Sequence, residues 1–465
     1  MLQSIRFIGF LGFYGLCLFI TSCACPDGKQ FNSVDGERIN EIKALISKMD
    51  EKQTNEFIEQ FKFAKEFLPQ QVIVRFKDGT AASKVQETLN TLGALKSFQF
   101  KSTQALLLTI PDAITRNDIL AIVTALNEVK AVDYAVPNGI LKISAVPNDP
   151  AYPEQEDLKN TGQNGGTPGA DIRAEGAWNI TQGSENVLVG IIDTGVDYLH
   201  PDLVDNIWTN GGEQGTDIEG NDKATNGVDD DENGYVDDVH GYDFVNNDND
   251  PMDDYGHGTH VAGTIGAQGN NGIGMTGINW RVKLIALKVF GSDGSGTESD
   301  IVKAIEYATQ MNIPITNNSY GGLGYNQALR DAIEANSQKG FLFVAAAGNN
   351  SVDNDIISFF PANYGLPNII SVAAVDNKDE KPAFSNWGAR KVDIAAPGVD
   401  ILSLAVSGSP EPLIRMSGTS MAAPHVTGAA ALIKAAYPGL DFMAVKNRIL
   451  FGADQVSPLL TPTYE

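Results

Sequence analysis

A serine flanked by small residues stands just before a long apolar run near the C-terminus of this sequence. The segment GTSMAAPH covers residues 418–425, and the apolar run extends over residues 422–436. The run predicts a helix with Ser420 in or before its first turn, where Pro424 is tolerated because the first amides have no intrahelical partners. Those amides and the positive end of the helix dipole would then point at the group that Ser420 attacks. Serine is also a common helix cap, so this motif alone leaves a structural role open.

A nucleophilic serine needs a base and a carboxylate that orients the base. The sequence has five histidines, and two of them, His257 and His260, lie in the glycine-rich segment GHGTHVAG, where the pattern predicts that a second helix starts at Val261. His425 lies on the predicted helix of the serine but is turned about 140° away, so we expect it to pack as an ordinary helix residue. A buried apolar strand ends in Asp193, and open α/β sheets place their sites at such carboxyl ends. The residues themselves do not decide between His257 and His260.

Three segments resemble the active-site motifs of subtilisin-like serine proteases. They are DTG at residues 193–195, GHGTHVAG at 256–263 and GTSMAAP at 418–424. Their order along the chain, Asp then His then Ser, is also the order found in subtilisin. The resemblance extends over roughly two-thirds of the chain and is specific because all three motifs occur in order. It implies a subtilisin-like α/β fold with a doubly wound parallel sheet, and serine endopeptidase activity.

The resemblance also implies a role for each motif residue. Ser420 would attack the peptide carbonyl, His257 would take and return the proton, and Asp193 would orient the imidazole and stabilise its cation. His260 would then pack within its helix. Asn349 closes the segment FVAAAGN, which resembles the family strand whose asparagine donates to the oxyanion. A zinc site formed by both histidines is a rival interpretation, but no third ligand stands at metal spacing.

Substrate, by the same resemblance, would lie as an added strand on exposed edges. Ser319 and Gly321 would belong to one edge, and Gly348 to the other wall of the first specificity pocket. The segment FPA at residues 360–362 matches a family turn at the floor of that pocket. Phe359, just before this turn, is bulkier than the family pattern, which leaves the depth of the pocket open.

Two stretches predict structural calcium, and no organic cofactor is expected. The first is the loop DDDENGYVD, in which acids at alternate positions around a glycine let hard oxygens converge on one cation. Its predicted ligands are Asp229, Asp231, Asn233 and Asp237. His240 stands where an EF-hand has its bidentate glutamate, so the loop is only EF-like, and an acidic surface turn is the alternative. The second stretch resembles the strong calcium site of the family, with Asp202 and Asn271 as side-chain ligands and His200 structural.

The net charge of −25 argues against nucleic acid and anionic membrane surfaces as partners. Over half of this excess comes from residues 217–254, which contain fourteen acids and one base, Lys223. The resemblance to the family implies polypeptide substrates and the chain's own propeptide as the partners.

The N-terminus has the pattern of an export signal. Residues 1–22 carry one base, Arg6, before a largely apolar run, which is typical of a secretory signal peptide. The sequence ITSC at residues 20–23 resembles a bacterial lipobox and implies a lipid on Cys23; a plain signal peptide is the alternative. All three cysteines lie within the first 25 residues, so the exported body has no disulfide. We expect a lipoprotein zymogen at the bacterial cell envelope whose mature domain is released, with this lipid as its one membrane contact.

Composition and periodicity divide the remaining chain. Residues 23–68 contain the lipobox cysteine and a polar segment with helical spacing, interpreted as a spacer. Residues 69–145 follow a β-α-β-β-α-β pattern, weakest at 97–101, and resemble the small α+β ferredoxin-like inhibitory propeptide of the family; an unrelated module of that fold is the alternative. Residues 148–465 alternate apolar strands with helices, which predicts the parallel sheet. The usual closing glycine-rich turn and final helix are missing, so we expect a truncated C-terminus or a natural variant.

Two further functions fit parts of the sequence. A serine esterase would carry the nucleophile elbow G-x-S-x-G, and GTSMA lacks its second glycine. A calcium-binding adhesion protein with a decayed protease core would not be expected to retain all three motif residues and Asn349. The sequence therefore favours an exported, calcium-stabilised serine endopeptidase controlled by a propeptide.

Overall fold

The computed structural model describes residues 67–113, 115–140 and 145–456. The predictions for the signal peptide, for Cys23 and for the helical spacer fall on residues outside this range. The chain divides into two compact units, with the boundary between Lys142 and Ile143. Each unit has its own hydrophobic core.

The N-terminal unit is a four-stranded antiparallel sheet with two helices. Its elements are β1 (Phe67–Phe76), α1 (Ala82–Thr91), β2 (Leu95–Gln99), β3 (Leu106–Thr109), α2 (Arg116–Glu128) and β4 (Val132–Gly139). The strand order is β2-β3-β1-β4, and Val72 of β1 pairs with Leu108 of β3. This confirms the ferredoxin-like β-α-β-β-α-β pattern. The weakest predicted strand lies two residues earlier than expected, at an edge, and its side chains are all exposed.

The second unit alternates strands and helices around one large sheet. Its helices are α3 (Ala174–Trp178), α4 (His257–Gly266), α5 (Glu298–Gln310), α6 (Gln327–Gln338), α7 (Thr419–Ala436) and α8 (Phe442–Gly452). Its sheet strands are β5 (Gly183–Asp193), β6 (Gly241–Asp243), β7 (Arg281–Lys288), β8 (Ile315–Asn318), β9 (Leu342–Ala346), β10 (Ile369–Val375) and β11 (Ile394–Pro397). A separate hairpin is formed by β12 (Ile401–Leu404) and β13 (Leu413–Met416), and short 3-10 turns occur at Tyr152–Glu154, Gln163–Gly165 and Val204–Asn206.

The large sheet is parallel and covered by helices on both faces. Its order is β11-β10-β9-β8-β5-β7-β6, and every pairing in it is parallel. One core cluster packs Val189 and Ile191 of β5 against α4 and α7. The other packs Ile192 of the same strand against α5 and α6. Successive side chains of a strand point to opposite faces, so a strand between two helical layers is apolar throughout. The doubly wound sheet predicted from the apolar runs is confirmed.

The chain reverses its direction of winding at β5, which lies between β8 and β7. Crevices at such a switch point, outside the carboxyl ends of the strands, are where open α/β sheets bind ligands. Asp193 is the last residue of β5 and pairs with Lys288 at the end of β7. The strand order therefore puts the predicted carboxylate at the switch point.

One helix begins earlier than predicted. The sequence pattern placed its start at Val261, whereas α4 begins at His257. The extra turn forms because Asp253 accepts hydrogen bonds from the backbone N–H groups of Gly256 and Thr259, which an isolated helix start would leave unpaired. His257 therefore lies on a helix end fixed by a tertiary contact.

Candidate active site

Asp193 and His257 form a direct pair at the carboxyl edge of the sheet. Their atoms Oδ1 and Nδ1 are 2.7 Å apart, and the Asp193 side chain is almost fully buried. The backbone N–H of Thr194 donates to the same Oδ1 at 2.8 Å. A buried carboxylate of this kind accepts the Nδ1 proton, so Nε2 of His257 is the ring nitrogen left to act as a base.

The two histidines that the sequence could not separate lie in different environments. Burial lowers the pKa of His257, but the charge and hydrogen bond of Asp193 and the charge of Asp253 outweigh it, so the pKa is raised. His260 is fully buried, its Nε2 donates to the carbonyl of Ile401 at 3.0 Å, and burial lowers its pKa to about 4. His257 is thus equipped to accept a proton, and His260 is held neutral.

Asp253 organises the start of α4. Its Oδ1 accepts from the N–H groups of Tyr255 (3.1 Å) and Gly256 (2.8 Å) and from the Thr194 hydroxyl (2.9 Å). Its Oδ2 accepts from the N–H (2.8 Å) and the hydroxyl (2.6 Å) of Thr259. Five donors on one buried carboxylate fix the position of the helix end that carries His257.

Thr194 and Lys288 connect that helix end to the strand end. The Thr194 hydroxyl accepts from the N–H of Gly258 at 2.9 Å. The buried ammonium of Lys288 donates to the Thr194 carbonyl at 2.7 Å and to Oδ1 of Asp254 at 2.6 Å. Thr194, which follows Asp193, is therefore hydrogen-bonded to both neighbouring segments. These bonds hold Asp193 and His257 close to each other.

Ser420 lies in the first turn of α7, as the sequence predicted, and is coupled to the end of β8. Pro424 has no N–H, so the Ser420 carbonyl lacks its usual partner four residues on. The Ser319 hydroxyl donates to that carbonyl at 2.8 Å instead. In return, the Ser420 hydroxyl donates to the Ser319 carbonyl at 3.0 Å. Among the described residues no hydrogen bond joins Ser420 to His257, and the hydroxyl must rotate to reach a base, as is common without substrate.

Asn349 is oriented by the residue before the serine. Its side-chain oxygen accepts from the N–H (2.9 Å) and the hydroxyl (3.0 Å) of Thr419. The N–H of Thr419 can only donate, so this atom is the amide oxygen and the other end of the side chain is the NH₂ group. Asn349 and Ser420 line the same pocket. The arrangement leaves a side-chain N–H donor beside the serine.

Two adjoining pockets open at this edge. One, of about 450 Å³, is lined by Asp193 and His257 among others. The other, of about 280 Å³, is lined by Ser420 and by Gly321 and Gly348, two of the residues that the sequence assigned to substrate binding. Ser319 lines the first pocket and is bonded to Ser420. Tyr320, Gly321 and Gly322 line both pockets, so the two join into one cleft lined by both His257 and Ser420.

Asp202 and Asn271 also lie together, as predicted. Nδ2 of Asn271 donates to Asp202 at 2.7 Å, and Asp149 accepts from the N–H of Asn271 at 3.2 Å. Burial, reinforced by the charge of Asp149, raises the pKa of Asp202 to about 6. His200, assigned a structural role, accepts the N–H of Asp202 through Nδ1 at 3.1 Å. Two buried carboxylates thus approach each other without a basic side chain between them among the described residues.

The acidic loop has a different arrangement from the predicted ligand set. Asp231 is grouped with Glu213 and Asp238, one oxygen from each lying within 4.8 Å of the others. Asp229 instead accepts the N–H groups of Asn233 (3.0 Å) and Gly234 (2.7 Å), and Asp237 accepts that of Gly227 with both oxygens (3.1 and 3.2 Å). Asn233 donates to Asp238 at 3.0 Å and so borders the group.

Glu213 and Asp238 are fully buried. Burial raises the pKa of each carboxyl to about 6. Oε2 of Glu213 has no hydrogen-bond partner within the part of the chain that the structure describes. Buried, unpaired carboxylate oxygens are costly unless they bind a cation or a proton, so the donor set suits a hard cation.

His425 is an ordinary buried helix residue, as expected. Its Nδ1 lies 2.8 Å from the Met421 carbonyl and its Nε2 lies 2.9 Å from Asp157. Both ring nitrogens of His425 are therefore hydrogen-bonded to groups other than Ser420.

Across the three described ranges, none of the helices combines the length and the hydropathy that crossing a membrane requires.

Comparison with known proteins identifies the family. The subtilase family model, Peptidase S8, matches residues 184–460, and a model of the fervidolysin N-terminal prodomain matches residues 38–138. The chain is 35% identical over 397 residues to a thermophilic serine proteinase of Bacillus sp. (strain AK1), covering 83% of this chain and 82% of that protein. The chain belongs to the subtilase family. It is a serine-type endopeptidase with an N-terminal prodomain, which makes it a zymogen.

Two further relatives of this subtilase are bacterial enzymes. Thermitase of Thermoactinomyces vulgaris is 35% identical over 288 residues, which cover 62% of this chain and 87% of thermitase. A cell wall-associated protease of Bacillus subtilis (strain 168) is 35% identical over 334 residues, which cover 71% of this chain and 33% of that protein. The prodomain match begins inside the segment interpreted from sequence as a spacer.

Sequence reasoning missed several residues of these sites. Asp253 and Lys288 were not singled out, although an acid four residues before a motif histidine could have been read as a helix cap. Asp149 was not named as a ligand, and Glu213 lies well outside the acidic loop pattern. These residues act through tertiary contacts, for which the sequence carries no spacing signal.

Asp253→Asn should shift the acid limb of the pH profile of kcat/KM to lower pH. The Asp253 charge raises the pKa of His257, so a neutral amide at this position lowers that pKa. More acid is then needed to protonate, and so inactivate, the base. An amide also cannot accept from five donors, and misplacement of His257 should lower kcat by up to ~10²-fold. Peptide hydrolysis measured between pH 5 and about 10 checks both effects.

The matched control is Asp254→Asn. It removes the same charge one residue along, from a half-exposed side chain bonded to Lys288 rather than to the helix start. Its acid limb should stay at the wild-type position. Equal shifts in both variants, or no shift in Asp253→Asn, would show that Asp253 does not act on His257.

Proposed function

We propose that this subtilase hydrolyses peptide bonds through an acyl-enzyme formed on Ser420. The observation that carries the proposal is the 2.7 Å bond between buried Asp193 and His257 beside the cleft that contains Ser420. Transfer of the Ser420 proton to Nε2 of His257 lets Oγ attack the carbonyl carbon, while Asp193 stabilises the imidazolium. The same proton then passes to the leaving amine, and water repeats the sequence to release the acid.

Asn349 would stabilise the tetrahedral intermediates. The Thr419 N–H holds the side-chain oxygen of Asn349 and so fixes the direction of its NH₂ group. The NH₂ group therefore needs no reorganisation when negative charge develops on the substrate oxygen. The N–H of Ser420 would be the second donor. Loss of one such side-chain donor costs ~10²–10³ in turnover, a value measured on subtilisin itself.

Ser420→Ala and His257→Ala should each abolish practical activity. The corresponding changes in subtilisin lower kcat by about 10⁶-fold, because nucleophile and base act as one unit. Casein hydrolysis checks this, with refolded variants compared at equal concentration. The inactive variants cannot remove their own propeptide, so a second protease removes it before the assay. His260→Ala and His425→Ala provide controls, since both rings lie away from Ser420 and should affect activity only through folding. A folded, inactive His260→Ala beside an active His257→Ala would reverse the assignment of the base.

We further propose that calcium stabilises the catalytic unit at two places. Asp202, Asn271 and Asp149 would hold one ion, because a cation relieves the repulsion between the two buried carboxylates. Glu213, Asp231 and Asp238 would hold a second, because two of these carboxylates are buried and Oε2 of Glu213 has no hydrogen-bond partner among the described residues. Of the loop residues predicted from sequence, Asn233 borders this second group, whereas Asp229 and Asp237 support the loop through backbone N–H groups.

Chelation should lower the melting temperature of the inactive Ser420→Ala protein, which cannot digest itself. An ion bound only by the folded state contributes ~2.7 kcal/mol when free calcium is a hundredfold above its dissociation constant. Asp202→Asn and Asp231→Asn, made in that background, should each remove part of the calcium-dependent rise in melting temperature. Glu185→Gln, an exposed acid on β5, is the control and should keep the full rise. An unchanged melting curve in excess chelator would rule out structural calcium.

Export with lipid anchoring of the zymogen is the third part of the proposal. The lipobox-like sequence would put a lipid on Cys23, and the propeptide lies between Cys23 and the catalytic unit along the chain. Processing near residues 140–149 would therefore separate the protease from its own anchor. A diacyl anchor holds firmly because each buried methylene contributes ~0.8 kcal/mol.

Inactive Ser420→Ala should remain unprocessed and fractionate with membranes, because cleavage of the propeptide needs the enzyme's own activity. Wild type should appear as a soluble fragment from about residue 148 onward, with the lipidated propeptide left behind. Fractionation with N-terminal sequencing checks both outcomes, and Cys23→Ala should make the inactive zymogen soluble. Soluble Ser420→Ala, or mature enzyme that stays on membranes after the propeptide is degraded, would contradict the scheme.

A further inference from the structure

Phe359 is the large side chain on the inner side of the pocket beside Ser420. Among the described residues that line this pocket, the buried ones are Ala346, Gly348, Thr419 and Phe359. Three of these are small, and only the phenylalanine ring, 8% exposed, extends into the space that they leave. The exposed lining residues, such as Leu323 and Asn350, form the open side.

The ring lies against both walls of the pocket. A methyl group added to Gly321 would come within 2.3 Å of Cε1 of Phe359. A methyl group added to Gly348, on the opposite wall, would come within 2.9 Å of Cδ1 and Cγ of the same ring. Both distances are far below van der Waals contact, so the ring already touches the two glycines. The inner space between the walls is therefore filled by Phe359.

This pocket receives the side chain that precedes the scissile bond. In the acyl-enzyme, the carbonyl carbon is bonded to Oγ of Ser420 and its oxygen faces Asn349, both of which line the pocket. The side chain of the acyl residue begins only two bonds from that carbon, so it must enter the nearest space. A filled inner wall leaves room there for a short side chain.

We propose that Phe359 restricts this subtilase to peptides with a small, uncharged residue, such as alanine, serine or glycine, before the scissile bond. The proposal rests on the acyl-enzyme function proposed above and specifies its substrate class. None of the residues that line the pocket is charged, so nothing there pairs with a basic or acidic side chain. The neighbouring pocket contains the acids Asp193 and Glu298, but it lies on the other side of Tyr320 and Gly321, which line both pockets.

The test uses tetrapeptide p-nitroanilides that differ only in the last residue, alanine or phenylalanine. Wild type should show kcat/KM at least tenfold higher for alanine, because even one methylene in a tight pocket changes the rate by roughly 10- to 200-fold. Phe359→Gly empties the space and should reverse the preference. Phe359→Leu should give an intermediate ratio and remains informative if the glycine variant does not fold.

Phe360→Leu is the matched control. The ring of Phe360 contacts Tyr325 and Tyr364 and lines the neighbouring pocket. Its replacement should leave the ratio of the two substrates unchanged, whatever its effect on the absolute rates.

Rates are expressed per active site titrated with a fluorophosphonate, so folding and specificity are separated. A wild-type enzyme that cleaves the phenylalanine substrate as well as the alanine one, or a ratio that does not move in Phe359→Gly and Phe359→Leu, would overturn the proposal. Casein hydrolysis without cleavage of the alanine substrate would overturn it as well. A protein that neither reacts with the fluorophosphonate nor cleaves casein would instead contradict the proposed acyl-enzyme function.

Discussion

A carboxylate buried at the end of the central strand is the constraint on which the rest of the site depends. Asp193 is 1% exposed, and burial of an unpaired charge costs several kcal/mol. Its Oδ1 is paired with the ring of His257 and the N–H of Thr194, while its Oδ2 has no partner among the described residues. The charge is therefore stabilised from one side only, by the ring of His257 and the N–H of Thr194.

The first residue of α4 must then be held accurately, and further buried charges do this. Asp253 binds the start of the helix, and Lys288 binds the residue that follows Asp193. Each is satisfied by several hydrogen bonds, which is the condition under which buried charges are tolerated. The nucleophile comes from a second helix on the same face of the sheet, whose first turn is joined to β8 by the paired Ser319 and Ser420. Rigid elements, rather than loops, thus position both reacting side chains.

The fold and the triad candidates could be predicted because their signals are local. Apolar runs of strand length separated by helical patterns predicted the parallel sheet, and the sheet topology then placed Asp193 at the switch point. The three motifs supplied the residue types. The choice of His257 over His260 could be made only by resemblance, and the geometry that supports it is a pairing between distant segments.

The remainder required tertiary contacts. The early start of α4 depends on Asp253, and the support of the Ser420 carbonyl follows from Pro424 only once Ser319 is known to lie beside it. In the acidic loop, alternation of residues suggested ligands, but backbone N–H groups bind Asp229, and Glu213 enters from another segment. The depth of the specificity pocket was left open because the direction of the Phe359 ring depends on two distant glycines.

The central claim is that His257, held by Asp193, makes Ser420 nucleophilic. Reaction of the processed enzyme with a fluorophosphonate, followed by intact mass and peptide mapping, tests it most directly. The account predicts one adduct per chain, located on Ser420, absent in Ser420→Ala and formed orders of magnitude more slowly in His257→Ala. An adduct on another serine, or labelling of His257→Ala at the wild-type rate, would contradict it.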